Sequence, residues 1–346
     1  MPQLERAPEP PYGAVGRPAA AVATAPAPAG GTRAVPARAL DLVLRYAMVG
    51  VLVALLIVAN ALSPGFFEIG NLRNILTQNA AVGVVAIGMT FVIIAGGFDL
   101  SVSAVAAAGT VLFASFAGHA SIPLAVLGVL ACALVAGLFN GLVITRLRVN
   151  PFVATLGSSS IIAGLALLYS HSQPIVPSKA GFDFLGTGTV AGVPTSIVVL
   201  AAGFAVGGVV LAKHVFGRAV FAVGGNAEAA RLSGMRVDTI RTITYLISAA
   251  CAAVAGLIIA SQTGVGQADV AANITLDSIA IVIIGGTSLL GGEGAMWRTL
   301  VGLLILATIN NVFDSLALDT AAQSVVKGSI VIVAVTLDAF TRSRQR

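Results

Sequence analysis

KHVFGRAVFAVGGNAEAARLSGMRVDTIR, residues 213–241, is the one long charged stretch between the apolar segments of this chain. Five basic residues (Lys213, Arg218, Arg231, Arg236 and Arg241) and two acids (Glu228 and Asp238) lie between uncharged runs long enough to cross a bilayer. Such an island requires water, because an ion at the bilayer centre costs at least ~2.5 kcal/mol on insertion scales. The runs around it belong in the membrane, and the island belongs at its surface.

Composition points the same way. Hydrophobic residues make up 57% of the chain and charged residues 10%, with a mean hydropathy of +0.98. A soluble domain carries about a quarter charged residues, so that class is excluded. Uncharged runs cover 46–62, 74–98, 100–145, 149–170, 195–212 and 242–268. The run 100–145 is twice the length of one span and predicts a pair of helices broken near Gly118, His119 and Pro123. Less clean stretches at 276–292, 298–316 and 321–340 bring the expected total to about ten spans. The runs are continuously apolar, without the ~10-residue alternation of an outer-membrane barrel. The expected fold is an all-α integral membrane protein, a polytopic bundle of transmembrane helices.

Residues 1–38 hold eight prolines among alanines and are expected to be a disordered tail. The membrane domain is expected over 39–341, with a basic tail at 342–346. No short apolar core with a small-residue cleavage site precedes the first span, which is expected to act as its own membrane signal. Cys132 and Cys251 fall inside apolar runs and read as core residues.

Lys and Arg collect on the cytoplasmic side of membrane proteins. With both termini cytoplasmic and ten crossings, sixteen cations lie inside and only Arg73, Lys179 and Lys327 lie outside. The longest outward loop is then 171–194, a candidate docking surface. Within the cytoplasmic island, Gly224 and Gly225 read as a flexible break and Asn226 as an N-cap. Glu228 suits the first turn, Ala227–Leu232 favour a helix, and Gly234 is placed to stop it. A helix that short is unstable alone, so a partner is expected to hold it.

FGRAVFAVGGNAEAARLSGMRVDTIR resembles the cytoplasmic loop of permease subunits of bacterial ribose-type sugar ABC importers. The likeness extends through GMTFVIIAGGFDLSVSAV (88–105), NPFVATLGSSSIIAGLAL (150–167), IAIVIIGGTSLLGG (279–292), the pair Asn310–Asn311 and VVKG (325–328). Ser103 departs from it, since the family commonly has Gly there. The resemblance implies that Glu228, Ala229, Ala230 and Gly234 form a coupling helix seated on a separate ATPase subunit. Gly224, Gly225, Asn226 and Arg231 complete that contact. It implies a location in the bacterial inner membrane, a second permease copy (homo- or heterodimer) and a periplasmic or lipid-anchored substrate-binding protein. The expected activity is inward transport of a monosaccharide or similar small polar solute by alternating access. Nucleosides, branched amino acids or a signalling furanone are alternative cargoes.

A phosphate-cradling loop needs Gly before its Lys, and Lys179, Lys213 and Lys327 are preceded by Ser, Ala and Val. ATP and Mg are therefore expected on the partner, with no cofactor on this chain and no nucleic-acid partner. His119, His171 and His214 are scattered without metal spacing, and no enzymatic site is expected.

Polar groups inside apolar runs are the candidates for the translocation path. Asp99 follows Gly96 and Gly97 and precedes Ser101, so Asp99 and Ser101 either cap a helix or line the route. Asp277 is open to the same two readings, and Asn310 and Asn311 either tie helices together or touch cargo. An ion-coupled secondary transporter would need such carboxylates as relays, and Asp99 and Asp277 are the ones available. Gly137-x-x-x-Gly141 and Gly203-x-x-x-Gly207 read as close-packing faces. VIIAGGFDL (92–100) and VIIGGTSLL (282–290) share a pattern that suggests a parallel repeat of Gly-interrupted helices.

Overall fold

The computed structural model describes residues 37–319 and 321–329, with Ile332 and Thr336. From Arg45 onward the chain forms one compact unit, and of Met1–Leu44 only the beginning of the first helix is described. The expected tails at 1–38 and 342–346 lie outside the described residues, apart from Ala37 and Arg38 in that helix.

Helix α1 (Ala37–Leu62) is followed by α2 (Ile69–Gln78) and α3 (Ala80–Ile94), which meet at a bend of 51°. Next come α4 (Val102–His119), α5 (Ile122–Thr145) and α6 (Pro151–Tyr169). A short helix α7 (Phe184–Thr187) and a hairpin of β1 (Thr189–Val190) and β2 (Val193–Pro194) occupy the long loop. The chain continues through α8 (Thr195–Lys213), α9 (Val215–Gly225), α10 (Ala227–Leu232) and α11 (Val237–Thr263). It then forms α12 (Ile274–Ile284) and α13 (Met296–Ser315).

Among the described residues, six helices (α4, α5, α6, α8, α11 and α13) are long and apolar enough to cross a membrane, and α2–α3 makes a seventh if the bent pair counts as one. The expected count of about ten is not confirmed among the described residues. The stretch 276–292 contains only the 11-residue α12, about 16 Å long and half the hydrocarbon thickness. Gly286, at φ +77°, stops it in the left-handed region. Of 321–340, only 321–329, Ile332 and Thr336 are described. The expected break in 100–145 is present: α4 ends at His119, and Pro123 sits in the first turn of α5, where its missing N–H is not needed.

Helix α11 is the central post, packed against α3, α4 and α5. Small residues let these backbones approach, as association in lipid requires. A Cβ on Gly137 would lie 2.7 Å from the Tyr245 carbonyl, one on Gly141 2.9 Å from Thr242 Cα, and one on Gly88 2.8 Å from Ser248 Cα. Gly203 and Gly207 serve α8 in the same way, against Ile87 of α3 and Met296 of α13. The large apolar side chains that would be core in a soluble protein point outward instead, as do Leu168, Val135 and Ile161.

Contacts between helix ends define two ends of the bundle. Thr145 meets Thr242 at 3.4 Å, and Met296 lies against Gly207 and Gly208, so the end of α5 and the start of α11 fall at the same end as the end of α8 and the start of α13. Arg146, Arg148, Lys213, Arg218, Arg231, Arg236, Arg241 and Arg298 gather there. At the opposite end Ser115 bonds Tyr169 at 2.7 Å, and Gln262 Nε2 donates to the Thr77 carbonyl at 2.9 Å. The long loop is tucked against that end, with Phe182 stacked on Phe113 at 4.6 Å.

Candidate functional site

Helix α10 projects from the basic end and is built as its residues predict. Asn226 Oδ1 accepts from Ala229 N at 2.9 Å, and Glu228 lies in the first turn. Gly234 adopts φ +82°; its N–H donates to Arg231 O and that of Met235 to Ala230 O, both at 3.0 Å, a Schellman stop. Ala230 anchors the helix by packing on Val223 and Val237. Arg231 pairs with Asp238 at 3.2 Å and Glu228 at 3.8 Å on the exposed polar face. Leu232, which the sequence pattern did not single out, is 81% exposed at the tip, more than any other large apolar residue described. The signal was available: a lone Leu ends a helix otherwise made of Ala and charges.

Gly224 and Gly225 are not a flexible break. They close α9, and Gly224 meets two other segments backbone to backbone. A Cβ there would run into the Ile94 carbonyl oxygen and stand 2.6 Å from Gly292 N. Gly292 N donates to that same Ile94 carbonyl at 2.9 Å. A Cβ on Gly291 would lie 2.9 Å from Gly96 Cα, and one on Gly292 2.6 Å from Gly225 Cα. The end of α3, the end of α9 and the loop after α12 thus form one glycine joint, directly behind α10.

The two segments that share a pattern end alike. Gly96 N donates to Ile93 O and Gly97 N to Val92 O, both at 2.9 Å, closing α3. Gly286 N donates to Ile283 O at 2.7 Å and Thr287 N to Val282 O at 3.2 Å, closing α12. Gly96 and Gly286 share φ values of 78° and 77°.

Beyond α3 the chain turns back into the bundle, and α4 starts about halfway along α11, since its Ala106 already faces Gly256. Asp99 and Ser101 sit in this turn, each 1% exposed. Asp99 Oδ1 accepts from Ser101 N at 3.0 Å and Ser101 Oγ at 2.6 Å, while Asn140 Nδ2 donates to Ser101 Oγ at 2.8 Å. Thr155 Oγ1 accepts from Leu100 N at 3.0 Å, and Tyr245 OH donates to the Phe98 carbonyl at 3.1 Å. The turn is therefore tied to α5, α6 and α11. Ser101→Ala leaves Asn140 and Asp99 short of a partner, which typically costs about 1–3 kcal/mol. A lowered melting temperature in detergent is the expected result.

From the opposite end, residues 264–273 enter the bundle without helical structure and run along α4. Gln267 N donates to Thr110 Oγ1 at 3.0 Å, Ala271 packs on Ala106 and Ala107, and Thr275 Oγ1 accepts from Ser103 N at 3.3 Å. Asp269, Ala272, Asn273 and Leu276 remain exposed along this descent. Irregular backbone at membrane depth is tolerated where it is buried in protein or lines a water-filled cavity.

The other path candidates lie elsewhere. Asp277 Oδ2 is 4.0 Å from Lys327 Nζ. Asn311 and Asn71 exchange amide bonds at 3.0 and 3.3 Å, and Asn310 Nδ2 donates to Asn79 Oδ1 at 3.3 Å, which holds the α2–α3 bend onto α13. Asp99 and Ser101, Asp277, and the two asparagines are thus three separate groups.

Residues 71–335 match the family described as branched-chain amino acid transport system, permease component. The ribose import permease protein of Bacillus subtilis is 38% identical over 287 residues, 82% of this chain and 89% of that protein. Its namesake from Escherichia coli K12 is 35% identical over 292 residues, 83% and 91% of the two chains. The L-arabinose ABC transporter permease protein of Azospirillum brasilense is 31% identical over 307 residues, covering 88% and 91%. No solved structure matches the chain. A match over most of the chain to the family, on a bundle of apolar helices with a capped helix at its basic end, shows that this protein belongs to the family of transport-system permease components.

Proposed function

We propose that the chain is the inner-membrane permease of an ATP-driven importer of a pentose or similar monosaccharide. ATP is bound and hydrolysed on a separate subunit docked at α10, and a binding protein outside delivers the cargo. The observation that carries this reading is the glycine joint. It links α10 through α9 to the end of α3 and to the loop after α12. A push on α10 reaches the end of α3 and that loop through direct backbone contact, which suits a two-state switch between outward and inward access. The basic end is cytoplasmic in this reading. A second permease copy supplies a second α10, and residues 264–276 line the route.

Reconstitution with the cognate ATPase and binding protein tests the reading. Ribose or arabinose is expected to stimulate ATP turnover, and removing 226–234 is expected to abolish ATPase association. Uptake that continues without ATP and stops when the ion gradient is dissipated would place the chain among secondary transporters. The family description favours branched-chain amino acids as the second cargo class, so leucine belongs in the same assay. Asn273→Cys is expected to react with a water-soluble maleimide at a rate that changes with nucleotide state. A cysteine that never reacts removes this segment from the route.

A further inference from the structure

Two large apolar crevices cut into the sides of the bundle. One, of about 710 Å³, lies among α4, α5 and α6; its walls include Leu112, Phe139, Ile162 and Tyr169 and carry no charged group. The other, of about 630 Å³, runs between α8 and α13, with Leu76, Ala205, Val209, Met296 and Leu300 in its walls. This second crevice differs at one end, where Lys213 and Trp297 join the lining. Lys213 is the last residue of α8, and Trp297 is in the first turn of α13, so both belong to the basic end of the bundle. Two more cations stand beside them. Arg218 Nη1 donates to the Lys213 carbonyl at 3.2 Å, and Arg298 Cζ lies 5.7 Å from the centre of the Trp297 ring.

We propose that the α8–α13 crevice binds an anionic phospholipid of the bilayer, with an acyl chain between the helices and the phosphate at Lys213. The chain alone gives little preference, because moving it from bilayer to protein exchanges one apolar surrounding for another. The headgroup decides. Trp is the residue of the membrane interface, and a Lys stem lies along apolar wall while its ammonium reaches headgroup level. Basic pockets between spans recognise anionic headgroups, a cation at the phosphate contributing about fivefold in affinity. Arg218 and Arg298 are turned to the Lys213 and Gly286 carbonyls, so Lys213 is the cation that lines the crevice. The uncharged α4–α6 crevice lacks the means to choose among headgroups.

Trp297 is the single tryptophan of the chain, so its fluorescence reports on this crevice alone. The purified full-length protein is titrated with phosphatidylglycerol or phosphatidylcholine, each carrying brominated acyl chains that quench indole on contact. Half-quenching is expected at an about fivefold lower mole fraction of phosphatidylglycerol, an advantage that salt reduces. Lys213→Gln should remove the advantage and Lys213→Arg keep it. Ala205→Phe, on a lipid-facing wall where folding is little affected, should weaken quenching by both lipids. Equal quenching by the two headgroups, or a preference that survives Lys213→Gln, overturns the proposal by leaving only general solvation by lipid. Absence of quenching by either overturns it too, since a second protein surface then fills the crevice.

Discussion

Replacing Gly224 by Ala is expected to lower solute uptake and cargo-stimulated ATP turnover by at least about tenfold, while the same change at Gly225 leaves both near the parental level. The two glycines are neighbours at the end of one helix. An added Cβ at Gly224 meets the Ile94 carbonyl oxygen and Gly292 N, whereas at Gly225 it meets nothing within 4 Å. The obstacles at Gly224 are backbone atoms that cannot rotate aside, so α9 must part from α3 and from the loop after α12. Overpacking of this kind typically costs about 1–3 kcal/mol, and ~1.4 kcal/mol is already tenfold. Helix propensity acts in the opposite sense, favouring Ala by up to ~1 kcal/mol, so the pair of variants isolates the contact from the helix. Proteoliposomes with matched amounts of permease and ATPase give the comparison. Parental behaviour in Gly224→Ala would show that the joint transmits no motion, and failure of both variants would point to the helix end itself.

Leu232→Ala should weaken binding of the ATPase subunit by about thirtyfold and leave the melting temperature of the permease unchanged. The side chain stands in water at the tip of α10, 81% exposed, so the isolated fold loses little when it is shortened. Burial of a leucine against a partner is worth about 1.5–3 kcal/mol, and ~2 kcal/mol corresponds to thirtyfold. Arg231→Glu breaks the exposed pairs with Asp238 and Glu228, and exposed pairs contribute only ~0.2–1 kcal/mol each, so its effect on binding should be smaller. Titrating the ATPase onto permease in lipid nanodiscs measures both. An unaltered dissociation constant for Leu232→Ala would move the docking surface away from the tip.

Helix α10 was legible in the sequence because everything that makes it is local. A cap three residues before the N–H it accepts from, Ala between charges and a glycine in the left-handed region need no distant partner. The same holds for the apolar spans, whose length answers to the bilayer, and for the break at Pro123. The short α12 was harder to read, since 276–292 is apolar throughout and hydropathy does not register that the helix ends at Gly285. The segment 264–273 was hidden for a similar reason. Its neighbours Thr110, Ala106 and Ala107 lie more than 150 positions away, and only packing against α4 shows that it descends into the bundle.

Gly224 shows the division most clearly. Two adjacent glycines, read by their conformational freedom alone, suggest a loose link between helices. The fold instead uses one of them for the room it leaves, because three backbones from distant parts of the chain converge where a single methyl group would not fit. Residue order alone determined that this chain enters the membrane as helices, that its cations collect at one end and that a short capped helix stands there. Tertiary contact decided which glycine is a joint, and that Asp99, Asp277 and Asn310 occupy three different places. Hydropathy and capping act over a few residues, whereas steric exclusion between backbones depends on which segments meet.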